Sequence, residues 1–318
     1  MKHICRINVL IIGVVLGLTL TIGIVNAQVC GTPSNISNND GNDDREHQIY
    51  GDYVVWEGND GNDLEIYLYR ISTSTLIGNI SNNDGYDDRY PQIYGDYVVF
   101  RYYDGNDAEI YLYQISTATL IGNISNNDGN SDSSPQIYGD YVVWYGNDGN
   151  DAEIYLYQIS TSTLIGNISN NDGNDDYYPQ IYGDYVVWYG NDGNDDEIYL
   201  YQISTSTLIG NISNNDGNDD RRPQIYGDYV VWYGDDGNDD EIYLYRISTA
   251  TFIGNISNND GNDDRYPQIY GDYVVWYGND GNDDEIYLYR ISTATPIGNI
   301  SNNDGNNDRH PQIYGDYV

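Results

Sequence analysis

Gln180-Ile181-Tyr182-Gly183-Asp184-Tyr185-Val186-Val187 is the stretch on which the fold turns. It reads as a short apolar segment, a Gly-Asp pair of the kind that closes a two-residue hairpin, and a β-branched second strand. The same octapeptide starts at Gln48, Gln92, Gln136, Gln224 and Gln268, and a seventh copy starts at Gln312 and runs into Val318. Each interval is 44 residues, without insertion or deletion. A unit this short cannot bury its own apolar face, so neighbouring units must stack.

Outward from Gln180 the rest of the unit follows the same logic. Trp188-Tyr189 extends the second strand, and 190–196 is rich in turn formers. Glu197-Ile198-Tyr199-Leu200-Tyr201-Gln202-Ile203 alternates as a third strand, 204–207 turns the chain, and 208–213 forms an outer strand. Four antiparallel strands in 44 residues match one β-propeller blade, for which periods of about 40–45 are usual. The expected class is therefore all-β: six complete blades starting near 48, 92, 136, 180, 224 and 268, and a partial seventh built from 35–47 and 312–318. The third strand carries Ile and Leu on one face and Tyr on the other, as a blade between two others requires. Trp56, Trp144, Trp188, Trp232 and Trp276, with Phe100 in the sixth slot, share one repeat position and read as an inter-blade layer.

The motif Pro-x-Ile-x-Gly-Asp-x-Val-Val-Trp (179–188), then Glu-Ile-Tyr-Leu-Tyr (197–201) and Ile-Ser-Thr (203–205), resembles the TolB-like propeller repeat. It is similar above all to the versions found in cell-surface proteins of methanogenic archaea. The resemblance covers about residues 35–318 and lacks the Gly-His and Trp-Asp signatures of WD40 repeats. It implies a surface or secreted propeller. In TolB itself an α/β domain precedes the propeller, whereas here a leader runs almost directly into the repeats.

Lys2, His3 and Arg6 precede an apolar run and the small-residue exit Val25-Asn26-Ala27. Residues 1–27 read as a secretory signal, with an N-terminal anchor as the alternative, and 28–34 as a short linker. Either way the repeats are expected outside the cytoplasm. All 50 acidic residues follow residue 27, against 10 arginines and no lysine, a formal charge of 10 − 50 = −40. Neither a nucleic-acid footprint nor a polybasic lipid patch is present. Cys30 is the single cysteine after the leader, so no internal disulfide forms. The chain stops inside a Tyr-Val-Val strand, which reads as a fragment or a truncated frame. Near-identical blades invite strand exchange, leaving monomer and swapped oligomer both open.

Enzyme motifs such as Gly-x-Ser-x-Gly, His-Glu-x-x-His and the P-loop do not occur. Asn-Ile-Ser at Asn35, Asn79, Asn123, Asn167, Asn211, Asn255 and Asn299 carries the N-glycosylation pattern on outer strands. The Asp/Asn loops, such as 191–196 and 214–220, invite weak calcium binding. However, Gly190 and Trp188 occupy the earlier ligand slots, so tight solvated turns are the expectation, with no metal site and no cofactor.

The copies differ most just ahead of each octapeptide. There Arg45, His47, Arg89, Tyr90, Tyr177, Tyr178, Arg221, Arg222, Arg265, Tyr266, Arg309 and His310 form a candidate ring of Arg and Tyr for an anionic or sugar-like ligand. The function expected is an exported, non-catalytic scaffold for protein or glycan interaction at the cell surface. The alternatives are a lyase-like propeller enzyme acting on acidic polysaccharide and a structural glycosylated envelope component.

Overall fold

Each complete repeat folds into the four strands that its alternation prescribes. The computed structural model describes residues 35–37, 43–81, 84–125, 128–169, 172–213, 217–257, 261–301, 305–315 and 317–318. The leader, the linker and Cys30 lie outside them. Residues 1–40 and 41–318 are separate units. Residues 41–318 carry 24 strands, in six four-stranded antiparallel sheets paired in sequence order. In the fourth blade these are Asp176–Tyr182, Tyr185–Asn191, Asp196–Gln202 and Thr207–Asn211, from the inner strand to the outer. Tyr182 pairs with Tyr185 across Gly183-Asp184, and Gly183 adopts φ 61°, which an L side chain rarely takes. Asp184 then ties the next turn, accepting from Ser204 N at 2.7 Å and Gln202 Nε2 at 2.8 Å.

The blades hold together face to face. Val143, Ile154, Leu156 and Ile168 of the third blade pack on Val186, Trp188, Tyr201 and Ile203 of the fourth. The same set recurs at the other seams. The aromatic slot is thus the inter-blade layer its position implied, and it also has polar work. Trp188 Nε1 donates to Asp176 Oδ1 at 2.8 Å, both groups buried. Trp144, Trp232 and Trp276 donate likewise to Asp132, Asp220 and Asp264. The carboxylate fits because the second strand carries glycine opposite it. A Cβ on Gly190 would stand 1.8 Å from Asp176 Oδ1. In the second blade both partners change together: Phe100 has no N–H, Tyr102 replaces the glycine, and the Tyr103 N–H reaches Asp88 Oδ1 at 3.3 Å.

One expectation is corrected. The inner strands begin three or four residues ahead of the octapeptide, in the fourth blade at Asp176 rather than Gln180, so the variable residues belong to the strand itself. Beyond the six sheets, at the position expected of a partial seventh blade, the described residues of 312–318 carry a Tyr314–Tyr317 bridge; Asn35–Ser37, in the other unit, carry no strand. The faces flanking that position are open: Ile49 is 68% exposed where its counterpart Ile137 is 8%, and Ile300 is 40% exposed where Ile168 is 5%.

Two outcomes test the seam. Gly190→Ala forces the Cβ into the Asp176 carboxylate and should cost about 1–3 kcal/mol in urea unfolding. Burial lifts Asp132 and Asp176 from 3.8 to about 8, with the neighbouring Glu109 and Asp128, or Glu153 and Asp172, adding to it against the Ser and Trp donors. Carboxyls raised on folding bind more protons in the folded state between those limits. Stability in chelator should therefore fall as pH rises from about 4 to about 8. A flat or rising melting temperature over that window would contradict the buried seam.

Candidate functional site

The inner strand of the fourth blade slips register between Tyr177 and Gln180. Tyr177 faces Tyr189 and Gln180 faces Val187, so two residues oppose one. This is a β-bulge, a device that re-aims a side chain. Pro179 occupies the slip, where no ladder donor is needed. Tyr178 takes φ 51°, and the residue at the same slot does so in every copy: Glu46, Tyr90, Ser134, Arg222, Tyr266 and His310 lie between 49° and 59°. Non-glycine residues are rare there, and a strained conformation repeated seven times marks a position held by its surroundings. The slot holds four different residue types besides its three tyrosines, on a scaffold that otherwise repeats nearly unchanged.

Four of these side chains touch in succession. The Arg222 guanidinium lies 4.1 Å over the Tyr178 ring and 5.7 Å from the Tyr266 ring. Tyr266 meets His310 edge-on at 6.1 Å. Second-strand tyrosines back them: Tyr178 stacks on Tyr189 at 5.8 Å and Tyr266 on Tyr277 at 5.5 Å. Beside Arg222 opens a cavity of about 540 Å³, lined by Tyr177, Tyr189, Tyr233, Arg221 and the amides of Asn150 and Asn174. Burial raises the Tyr177 hydroxyl to about 12 and pushes Tyr189 and Tyr233 upward as well. These phenols therefore stay protonated and can donate. A second cavity of about 460 Å³ involves Arg89, Arg101, Tyr86 and Tyr103.

The residues expected in the ring fall in two settings. The arginines one residue before the bulge slot make ion pairs, and Arg221 and Arg89 also line the two cavities. Arg221 meets Asp196 at 2.5 Å and Asp219 at 2.8 Å. Arg265 pairs with Asp240 and Asp263, Arg309 with Asp284, Arg89 with Asp87, and Arg45 with the buried Glu57. Arg221, Arg265 and Arg309 reach a carboxylate at the start of the preceding blade's third strand, whereas Arg89 pairs within its own entry segment and Arg45 with the second strand of its own blade. Tyr90 is exposed, and its N–H donates to Glu57. His47 sits exposed at the slot proline takes elsewhere, so it is not the repeat counterpart of His310.

Sequence reasoning assigned no role to Tyr145, Tyr189, Tyr233 and Tyr277, which share a repeat position with Glu57 and Arg101 and looked like packing. It also missed a second ring at the opposite ends of the inner strands. Tyr50, Tyr94, Tyr138, Tyr182, Tyr226, Tyr270 and Tyr314 follow one another with ring centroids 4.7–4.9 Å apart. Tyr314 also acts electrostatically on Tyr50, so the last of the series lies near the first.

The Asn-Ile-Ser triplets end the outer strands. Asn211 Oδ1 accepts from Ser213 N at 2.8 Å, Ile212 between them is buried, and Ser213 Oγ meets Glu197. Asn79, Asn123, Asn167, Asn211 and Asn299 are exposed, Asn255 is half-buried, and Asn35, in the other unit, makes the same local turn with Ser37. The loop at 191–196 is tight as expected: Asp192 Oδ1 accepts from Asn194 N at 2.9 Å. It is not fully solvated, because Asp195 is buried.

No family model matches the chain, and no curated protein matches its sequence. Solved structures do match in fold. A prolyl endopeptidase structure aligns with TM-score 0.62 at 11% identity, over 82% of this chain and 43% of that one. Acylaminoacyl peptidase from Pyrococcus horikoshii gives 0.56 at 13%, over 82% and 46%. TolB from Acinetobacter baumannii gives 0.47 at 14%, over 73% and 58%. The chain spans less than half the length of these peptidases, and the likeness is one of β-propeller fold.

Neighbouring arginines should behave oppositely. Arg221→Ala leaves the largely buried Asp196 without its cation and should lower the melting temperature clearly. Arg222→Ala should stay within about 0.5 kcal/mol of the parent. Equal losses in thermal unfolding would undo the distinction between seam and mouth.

Proposed function

We propose that the chain is an exported, non-catalytic β-propeller that binds carbohydrate through the bulge ring at one end of its inner strands. The observation that carries this reading is the Tyr178–Arg222–Tyr266 stack beside a cavity with planar amides. Aromatic faces take the apolar face of a sugar ring, while protonated phenols, amides and a guanidinium take its hydroxyls or a carboxylate. The leader-like residues 1–27 and, after them, the absence of lysine and a formal charge of −40 support an extracytoplasmic surface role. So does the repeat's resemblance to archaeal cell-surface propellers. His310, the one imidazole on the ring, is packed against Tyr266 and Tyr277, which supports recognition without bond cleavage.

Affinity electrophoresis of the full chain through gels containing neutral and uronate polysaccharides tests this. At least one polymer should retard the chain, and Tyr178→Ala/Arg222→Ala should weaken the retardation about tenfold or more, the loss of two stacked anchors. No unsaturated or reducing product should accumulate. No retardation by any polymer, or equal retardation of parent and variant, overturns the reading, and product release overturns its non-catalytic part.

A further inference from the structure

The six complete blades share a second sequence constant, which in the third blade borders the mouth cavity through Asn150 and Asp151. Asp-Gly-Asn-Asp-x-Glu links the second and third strands at Asp60–Glu65, Asp104–Glu109, Asp148–Glu153, Asp192–Glu197, Asp236–Glu241 and Asp280–Glu285. Its first Asp accepts backbone N–H groups and shapes the turn: Asp236 Oδ1 takes Asn238 N at 3.0 Å and Asp239 N at 3.3 Å. The turn then carries the second Asp and the Glu inward. Asp239 is 6% exposed and Glu241 is 0% exposed.

Half of each buried carboxylate is accounted for. Asp239 Oδ1 accepts from Asn238 Nδ2 at 2.6 Å, and the other Glu241 oxygen, Oε2, accepts from Ser257 Oγ. Asp239 Oδ2 and Glu241 Oε1 are buried with no hydrogen-bond donor among the described residues. Asp151 Oδ2 and Asp195 Oδ2 are in the same condition. Unscreened carboxylate oxygens turned toward one another are costly unless a positive charge joins them. Among the described residues no Lys, Arg or His pairs with these oxygens: the arginines nearby are committed to Asp196 and Asp240.

The distances meet the requirement of an ion. Asp148, Asp151 and Glu153 each offer a carboxylate oxygen within 4.8 Å of the others, as do Asp192, Asp195 and Glu197, and Asp236, Asp239 and Glu241. Oxygens that close can all touch one calcium at about 2.4 Å. A donor set of carboxylates, without His or Cys, selects a hard cation. The first Asp, at the rim, leaves room for water to complete six to eight ligands and for the ion to enter.

We propose that these three loops are divalent-cation sites of calcium type, one per blade, which neutralise the buried carboxylates where each blade meets the next. The seam location follows from the fourth blade's Asp176, on which Glu153 of the third blade acts directly. The consequence is a fold whose stability depends on external calcium, whether or not the mouth holds a ligand.

The test uses the full chain, stripped with chelator and returned to calcium, with magnesium in parallel. Calcium should raise the melting temperature by about 5 °C or more. Terbium, excited through the tyrosines beside the sites such as Tyr199, should luminesce and be displaced by calcium. Asp151→Asn/Asp195→Asn/Asp239→Asn removes buried like charge without changing side-chain size. In chelator it should melt no lower than the parent, while losing most of the calcium-induced rise and of the terbium signal. An unchanged parent melting temperature in millimolar calcium overturns the proposal. So does terbium emission that persists in the triple variant and disappears in monovalent salt, because that describes only the ion atmosphere of an acidic chain. If the triple variant fails to fold, the parent's calcium-dependent melting decides alone.

Discussion

The seam between blades is the constraint on which everything else rests. A sheet of four short strands has two apolar faces and no means of covering either, so each blade exists only as a layer between others. The tryptophan that fills the layer brings an N–H with it, and that donor must be satisfied away from water. Asp176 answers Trp188, and Gly190 clears the space that the carboxylate needs. One indole, one carboxylate and one missing side chain, spaced 12 and 14 residues apart, lock inner and second strands into a fixed register. The second blade confirms the dependence, because the indole and the glycine are both replaced there.

That lock also explains why a strained position can recur at the mouth. The bulge lies directly after the seam aspartate and directly before the proline or its substitute. Both sides are anchored, by the indole on one and by the resumed ladder from Gln180 on the other. The backbone between them has little freedom, so the residue there keeps its left-handed conformation whether it is Glu46, Ser134 or Arg222. Identity at that slot is thereby released from the demands of folding.

The strands were legible in the sequence because alternation is local: the pattern of 197–203 needs no knowledge of what lies beside it. The site was legible only in outline. Variation ahead of each octapeptide pointed to the segment that carries the bulge, but not to the division within it. Arg221 and Arg222 are neighbours in sequence with opposite surroundings, one against Asp196 and one between two tyrosines. Period-two reasoning assigns the faces correctly only when the bulge is known, and a bulge leaves no mark in composition beyond the proline that follows it. The Tyr182 series was illegible for a different reason. Its members are identical and 44 residues apart, so nothing in one copy announces that it touches the next. The acidic loops looked like solvated turns because their first residues are; the burial of Asp195 and Glu197 is set by neighbours distant in sequence, such as Ser213 on the Glu197 carboxyl.

The concentration of difference ahead of each octapeptide has a genetic counterpart. Tandem units this similar recombine with one another, and each crossover in register deletes or adds one whole blade. Such an event leaves the remaining seams chemically close to what they were, since apart from the second blade, with Phe100 and Tyr102, the seams are made of the same parts. What it alters is the order of side chains around the mouth, one letter at a time. The array is therefore a format in which specificity can be reshuffled by copy-number change alone, without a single substitution in the framework that folds it.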